Sequence, residues 1–331
     1  MAKISIIGTG AWGTALSQVL LSNHHDVTMY GVDQQQIADL KQKYNKKYYG
    51  NAKLSYPITK ITANLEDAVT NCEYIIIAIP TKFINQMINK LKELISPTVV
   101  IINVAKGLDP ETENVWSKTF KGNLDLRGYV TLIGPSFAYE VFHKQATIVN
   151  VVGCDAKIAH QVSILFNNDY FLAVPLIDEI GAELSAALKN CLAIATGIIK
   201  TFHPSINTLS AILAQGSREI SDIVKIFGGK QASLLQYCGI GDIFLTCTDS
   251  QSRNYSFGQL VSKFGVKTAL ERGRGQTVEG NNNVKIAYDI IIKHKLNAPL
   301  LINLYKVLYE NANPSELINN VFKDIQLELK K

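Results

Sequence analysis

The chain has 331 residues, 47% of them apolar, which is enough to bury a sizeable core in about two domains. Its formal charge of +5 suits a protein that handles acidic metabolites and falls short of the one-sided basic face that nucleic acid requires. Five cysteines (Cys72, Cys154, Cys191, Cys238, Cys247) with no CxxC pair argue against a disulfide framework, and six scattered histidines give no metal site.

Residues 3–7 run straight into a structured motif instead of reading as a secretory leader, so a reduced, cytoplasmic chain is expected. Residues 4–7 form a short strand that enters Gly8-Thr9-Gly10-Ala11-Trp12-Gly13 and then an apolar helix over 14–21. This is GxGxxG in the setting a dinucleotide site needs. Gly8 allows the tight turn, Gly10 lets backbone approach a pyrophosphate, and Gly13 lets helix and strand pack closely, with the phosphates on the helix N-terminus. A strand over 27–30 follows. The lysine run at 41–47, diluted by Tyr44 and Asn45, reads as a solvated helix end.

Strands are next expected over 74–79, ending in Pro80-Thr81, over 98–104, ending in Ala105-Lys106-Gly107, and over 129–133, ending in Gly134-Pro135-Ser136. Continuous apolar runs of this length indicate parallel strands buried on both faces. Ligands bind outside the carboxyl ends of such strands, where Lys106 and Ser136 fall. The fold class is therefore α/β: a Rossmann-type N-terminal domain with a doubly wound, mostly parallel sheet over 1–176, then an all-α domain over 177–331.

The helix over 181–199 is rich in small residues, so neighbours can approach its backbone closely. Glu183 and Lys189 within it mark a buried core helix, not a membrane span. Lys189 has two readings. Either it is a desolvated lysine whose lowered pKa suits proton transfer near neutral pH, or it snorkels to water beside Glu183. Further helices are expected over 205–227, 234–247, 255–263, 281–294 and 299–309, and a mobile loop over 271–275. In GIGDIFLTCTDSQSRN, residues 239–254, only Ile243 to Leu245 and Cys247 look like core. The polar remainder fits either a capped loop or a pocket for a small, oxygen-rich anion.

Seven motifs settle the direction of the reading: GTGAWGTAL at 8–16, AIP at 78–80, AKGLD at 105–109, GPSFAYE at 134–140, SAALKN at 185–190, the 239–254 block and VEG at 278–280. In that order, and over nearly the whole chain, they resemble the bacterial-type NAD(P)-dependent sn-glycerol-3-phosphate dehydrogenases. The resemblance implies an active site in a cleft between the two domains. There dihydroxyacetone phosphate is reversibly reduced to sn-glycerol 3-phosphate for phospholipid synthesis. By the same resemblance Lys189 is the general acid/base, Lys106 contacts substrate and cofactor, and Lys106, Lys189 and Asp242 form the catalytic set. Gly134, Ser136, Asp242, Ser252, Arg253 and Asn254 bind substrate with the two lysines. Gly8, Gly10, Ala11, Trp12, Gly13, Val32, Lys106, Ala138, Arg253, Thr277 and Glu279 bind the cofactor, NAD or NADP. An alkoxide needs positive charge and a proton in place, and a phosphate dianion suits the guanidinium of Arg253 flanked by Ser252 and Asn254.

Two departures stand out. Where NADPH-preferring relatives often carry Arg or His just past the second strand, this chain has Gly31-Val32; Asp33 follows, close to the spacing of an acid that grips the ribose 2′-hydroxyl. Dual use is expected, with NADH at least as good as NADPH. The stretch Ala214-Gln215-Gly216-Ser217-Arg218-Glu219 stands where Thr-Arg-Gly is usual. The partners expected are a phosphorylated small molecule and at most a second copy of the chain as a homodimer, with no nucleic acid and no stable membrane insertion. A hydroxy- or keto-acid dehydrogenase of the same plan would not need GPSFA or the Ser-Arg-Asn block. A non-catalytic NAD(P) sensor would not need two lysines and an anion fork.

Overall fold

Successive apolar residues in the first half go to opposite faces of one sheet, and both faces are covered. The computed structural model describes residues 1–273 and 279–330. Two units divide the chain, Met1–Glu179 and Ile180–Lys331.

In the first unit the strands are β1 (Lys3–Ile7), β2 (Asp26–Tyr30), β3 (Lys60–Thr62), β4 (Tyr74–Ile77), β5 (Val100–Asn103), β6 (Gly128–Ile133), β7 (Thr147–Val152) and β8 (Phe171–Leu176). They form a sheet in the order β3-β2-β1-β4-β5-β6-β7-β8. All neighbours are parallel except β6 and β7. The helices are α1 (Ala11–Ser22), α2 (Gln34–Lys41), α3 (Lys46–Tyr49), α4 (Leu65–Val69), α5 (Ile84–Leu91), α6 (Trp116–Asn123), α7 (Ala138–Phe142) and α8 (Ala156–Phe166). Ile76, Val100 and Ile102 face one core with Leu16, Leu20 and Phe166, while Ile75, Ile77 and Ile101 face the other with Ile88, Leu91 and Phe120. That division explains the unbroken apolar runs: the pleat sends alternate residues to opposite covered faces.

The chain leaves β1 toward β2 and β3, then returns past β1 to lay down β4 and the rest. The switch point lies between β1 and β4, and their carboxyl ends form the ligand crevice of such sheets.

Among the described residues the second unit is helical throughout: α9 (Glu179–Phe202), α10 (Ile206–Ile226), α11 (Asp242–Thr248), α12 (Arg253–Arg272), α13 (Glu279–His294), α14 (Pro299–Tyr309) and α15 (Leu317–Glu328). The helix α9 is long and apolar enough to cross a membrane by length and composition, but its apolar window is wholly buried. Its small residues have the consequence expected. A Cβ on Gly197 would lie 2.2 Å from Tyr255 O, and one on Gly258 would lie 2.2 Å from Ile194 O, so α9 and α12 cross in backbone contact.

Several expected boundaries shift. The single helix over 234–247 is instead two irregular turns followed by α11, because Gly239 takes φ −97° and ψ −106° with its Cα pressed against the Leu234 backbone. The helix expected over 255–263 extends from Arg253 to Arg272, with a break at Gly265 (φ +76°). Glu271 and Arg272 therefore end a helix instead of opening a loop, while residues 274 and 275 of the expected loop lie outside the described residues. Phe244, read as core, is 61% exposed.

Candidate active site

The turn after β1 meets three geometric demands at its three glycines. Gly8 has φ +122°, and a Cβ there would sit 2.3 Å from Ala78 O, so the turn is pressed against the end of β4. Gly13 would place a Cβ 2.6 Å from Gly8 O, which holds α1 tight against the turn. A Cβ on Gly10 would meet nothing within 4 Å. Gly10 also stands at the N-terminus of α1 with no side-chain cap, so backbone donors with positive dipole character face open space beside Ala11 and the half-buried Trp12. That arrangement fits a pyrophosphate.

Beyond β2, Gly31 is glycine for a local reason: a Cβ there would fall 2.5 Å from Thr9 Cγ2. Val32 is 76% exposed. Asp33 caps α2, accepting N–H bonds from Gln35 and Gln36. It also accepts Gln36 Nε2 at 2.9 Å, and Gln36 Oε1 in turn accepts the Thr9 hydroxyl at 2.8 Å. The Gln36 N–H, with Lys47 nearby, holds the Asp33 carboxyl below the usual carboxylate range. The lysine run is no simple solvated helix end. Asn45 within it is buried and donates to Thr9 O and Thr14 Oγ1, at 2.9 and 2.8 Å.

Lys106 follows β5 and is half-buried, on a loop organised by a residue the sequence reading left without a role. The buried Asp109 carboxylate accepts Asn85 Nδ2 at 2.9 Å, Glu111 N at 3.1 Å, Thr112 Oγ1 at 2.6 Å and Thr119 Oγ1 at 2.9 Å. Burial opposes its ionisation, but these donors prevail and hold it below the usual carboxylate range. After β6, Gly134 packs against Val149, where a Cβ would lie 2.7 Å from its Cα, and Ser136 donates to Gly134 O at 3.1 Å. Ala138 opens α7, and its carbonyl accepts Tyr49 Oη at 3.3 Å.

In the second unit, Lys189 and Asp242 form an ion pair 2.5 Å apart, with side chains 1% and 0% exposed. Thr246 Oγ1 accepts a second Lys189 N–H at 2.8 Å and lies 3.3 Å from Asp242 Oδ1. One turn of α11 separates Asp242 from Thr246, so both reach the same ammonium. Lys189 is thus buried on Asp242 and Thr246 and does not take the solvent-directed path. Nothing in the sequence pattern assigns Thr246 this role.

Ser252 caps α12 by accepting the Tyr255 N–H at 3.3 Å, so this block is a capped helix start as well as a polar cluster. Arg253 is exposed beside it. Asn254 Oδ1 accepts the Gly280 N–H at 3.1 Å, which ties α12 to the start of α13. Glu279 is the first residue of α13, and Thr277 lies outside the described residues. A cavity of about 360 Å³ lined by Lys121, Arg127, Tyr129 and Cys154 sits at the amino end of β6, the opposite edge from Lys106, and contains none of the expected site residues.

A glycine turn at the switch point of a parallel sheet, followed by a helical half with a buried lysine–carboxylate pair, is the layout of a two-domain dehydrogenase. Residues 3–159 match the family model described as NAD-dependent glycerol-3-phosphate dehydrogenase N-terminus, and residues 178–319 match that family's C-terminus. The chain is 42% identical over 320 residues to a glycerol-3-phosphate dehydrogenase [NAD(P)+] of Malacoplasma penetrans, covering 95% of this chain and 94% of the relative. A protein of the same description from Mesoplasma florum is 36% identical, with 98% of each chain covered. Among solved structures, glycerol-3-phosphate dehydrogenase from Coxiella burnetii superposes with a TM-score of 0.88 at 28% identity, over 97% of this chain and 98% of that one. The chain belongs to the NAD-dependent glycerol-3-phosphate dehydrogenase family.

Proposed function

We infer that the chain reduces dihydroxyacetone phosphate to sn-glycerol 3-phosphate, reversibly, with NADH or NADPH, in the cytoplasm and toward glycerophospholipid synthesis. The observation that carries the chemistry is the buried Lys189–Asp242 pair with Thr246 as its second partner. Ketone reduction builds negative charge on the former carbonyl oxygen, which calls for a cation and a proton already in position. Lys189 supplies both, and Asp242 with Thr246 restricts where its ammonium can be. NAD(P)H, when bound, supplies the hydride to carbon 2.

The other roles follow from chemistry and place. Gly8, Gly10, Ala11, Trp12 and Gly13 hold the pyrophosphate at the N-terminus of α1, with Val32 and Ala138 along the cofactor. Lys106, positioned by the Asp109 loop, contacts substrate and cofactor, and Gly134 and Ser136 line the substrate. Arg253 grips the substrate phosphate, helped by Ser252, whose hydroxyl hydrogen is not spent in capping, and by Asn254. Arg253 also approaches the dinucleotide, and the family resemblance assigns Thr277 and Glu279 to it as well. Free thiols suit the cytoplasmic setting.

A substrate panel tests this reading. Oxidation of NADH or NADPH should depend on dihydroxyacetone phosphate and be absent with ketopantoate and 2-keto acids. Turnover of ketopantoate or a keto acid instead would move the chain to the hydroxy-acid reading. Cofactor binding without turnover of any substrate would leave only a sensor.

A further inference from the structure

The segment after α2 is fastened to the glycine turn at two points. Asn45 bonds Thr9 O and Thr14 Oγ1, and Tyr49 donates to Ala11 O at 2.7 Å while stacking on Phe142 at 3.9 Å. Lys47 lies between these anchors, with its Nζ 3.6 Å from Asp33 Oδ2. Asp33 is three residues past the end of β2, where a dinucleotide-binding sheet places the group that meets the adenosine ribose. Its Oδ1 is occupied by the cap of α2, and its Oδ2 is held by Gln36, which is itself held by Thr9. The turn, the acid and the lysine are thus linked in one network. Gly31 has no room for a side chain, and Val32 carries no charge. The neighbouring Lys46 faces a different carboxylate, Asp39, at 3.9 Å.

We propose that Lys47 receives the 2′-phosphate of NADPH, and that the Asp33–Lys47 pair is what allows the chain to use both cofactors. The proposal rests on the dehydrogenase reading above. A ribose 2′-hydroxyl donates to a carboxylate, so Asp33 serves NADH. A 2′-phosphate carries roughly −2 near neutral pH and would be repelled by Asp33 alone. Lys47 offsets that repulsion. Its ammonium has three rotatable donors on a flexible stem, and an exposed ion pair of this length is weak, so it can turn from carboxylate to phosphate at little cost.

Binding of 2′,5′-ADP and 5′-ADP to the full chain, measured by titration calorimetry, tests the proposal without turnover. Lys47→Met should weaken 2′,5′-ADP by about tenfold, as for loss of one charged hydrogen bond at an exposed site, and leave 5′-ADP unchanged. Lys47→Arg should restore the difference, and Lys46→Met should not produce it. Equal loss of both probes in Lys47→Met would overturn the proposal by showing that Lys47 only supports α3. Unchanged 2′,5′-ADP binding would overturn it as well. If the unaltered chain bound neither probe, the cofactor reading would fail, and the proposal with it.

Discussion

Glu219, buried within α10, caps another helix: its Oε1 accepts the Leu300 N–H at 2.8 Å, and its Oε2 accepts the Leu301 N–H at 2.9 Å. Gln215 adds a third donor at 2.7 Å. The unusual Ala214-Gln215-Gly216 therefore has a structural consequence, a neutral amide on a buried carboxyl that closes the first turn of α14.

Burial pushes the Glu219 carboxyl up from 4.5 to about 7, against the pull of its three donors. Between those values the folded chain keeps a proton that the unfolded chain has released. Stability should therefore fall as pH rises through this window, by roughly 3 kcal/mol, and level off above it. Chemical denaturation at a series of pH values should show the fall in the unaltered chain and lose it in Glu219→Gln. Gln215→Arg, which sets a guanidinium beside the carboxyl, should also flatten the profile. The same slope in Glu219→Gln would assign it to another group.

Asp109 positions the loop of Lys106 without itself belonging to the expected site. Asp109→Ala leaves the Asn85, Thr112 and Thr119 side chains and the Glu111 N–H without their acceptor. Loss of buried partners of this kind costs on the order of 1–3 kcal/mol. The expected outcome is a lower unfolding midpoint together with a raised KM for dihydroxyacetone phosphate. A raised midpoint or an unchanged KM would show that the loop holds its shape without this carboxylate.

The sheet was readable from sequence where short, mostly apolar runs followed by Gly or Pro must be buried on both faces, as in β1, β4, β5 and β6. The strands β3 and β8, like β7, were not read from the sequence. The first has three residues, and the second alternates buried and exposed positions at a sheet edge and contains Pro175. The glycine turn announced itself because positive φ and backbone contact exclude other residues. The Asp33 network did not, since Thr9 meets Gln36 across 27 residues and Asn45 across 36, pairings that only the folded chain creates. Lys189 and Thr246, 57 residues apart, are a further case: motifs flagged the lysine, but the pattern alone could not separate a buried pair from a solvated side chain.

If Arg253 grips the phosphate, Arg253→Ala should damage turnover of dihydroxyacetone phosphate far more than that of unphosphorylated dihydroxyacetone. One charge-assisted contact of this type contributes about 1.5–3 kcal/mol, which sets the size of the difference in kcat/KM. Equal damage to both substrates would limit Arg253 to a structural or cofactor role.

On the proposed reading, Val32 and Asp33 bias the cofactor site toward NADH. NADH should be used at least as well as NADPH, and Val32→Arg should shift the ratio of kcat/KM toward NADPH by about tenfold or more, since it adds a guanidinium for the 2′-phosphate. A strong preference of the unaltered chain for NADPH would contradict the reading of Val32.

The role of Lys189 is tested by the kcat of Lys189→Ala with dihydroxyacetone phosphate, measured beside the NADH affinity of the same variant. Removing one partner of a buried ion pair strands the other charge at a cost of about 3–5 kcal/mol, so the double variant Lys189→Ala/Asp242→Asn is measured alongside as the version that keeps its fold. Both variants should lose at least ~10²-fold in kcat, the usual cost of a missing general acid, while NADH affinity stays near that of the unaltered chain. Turnover near the unaltered rate in either variant would remove Lys189 from the chemistry.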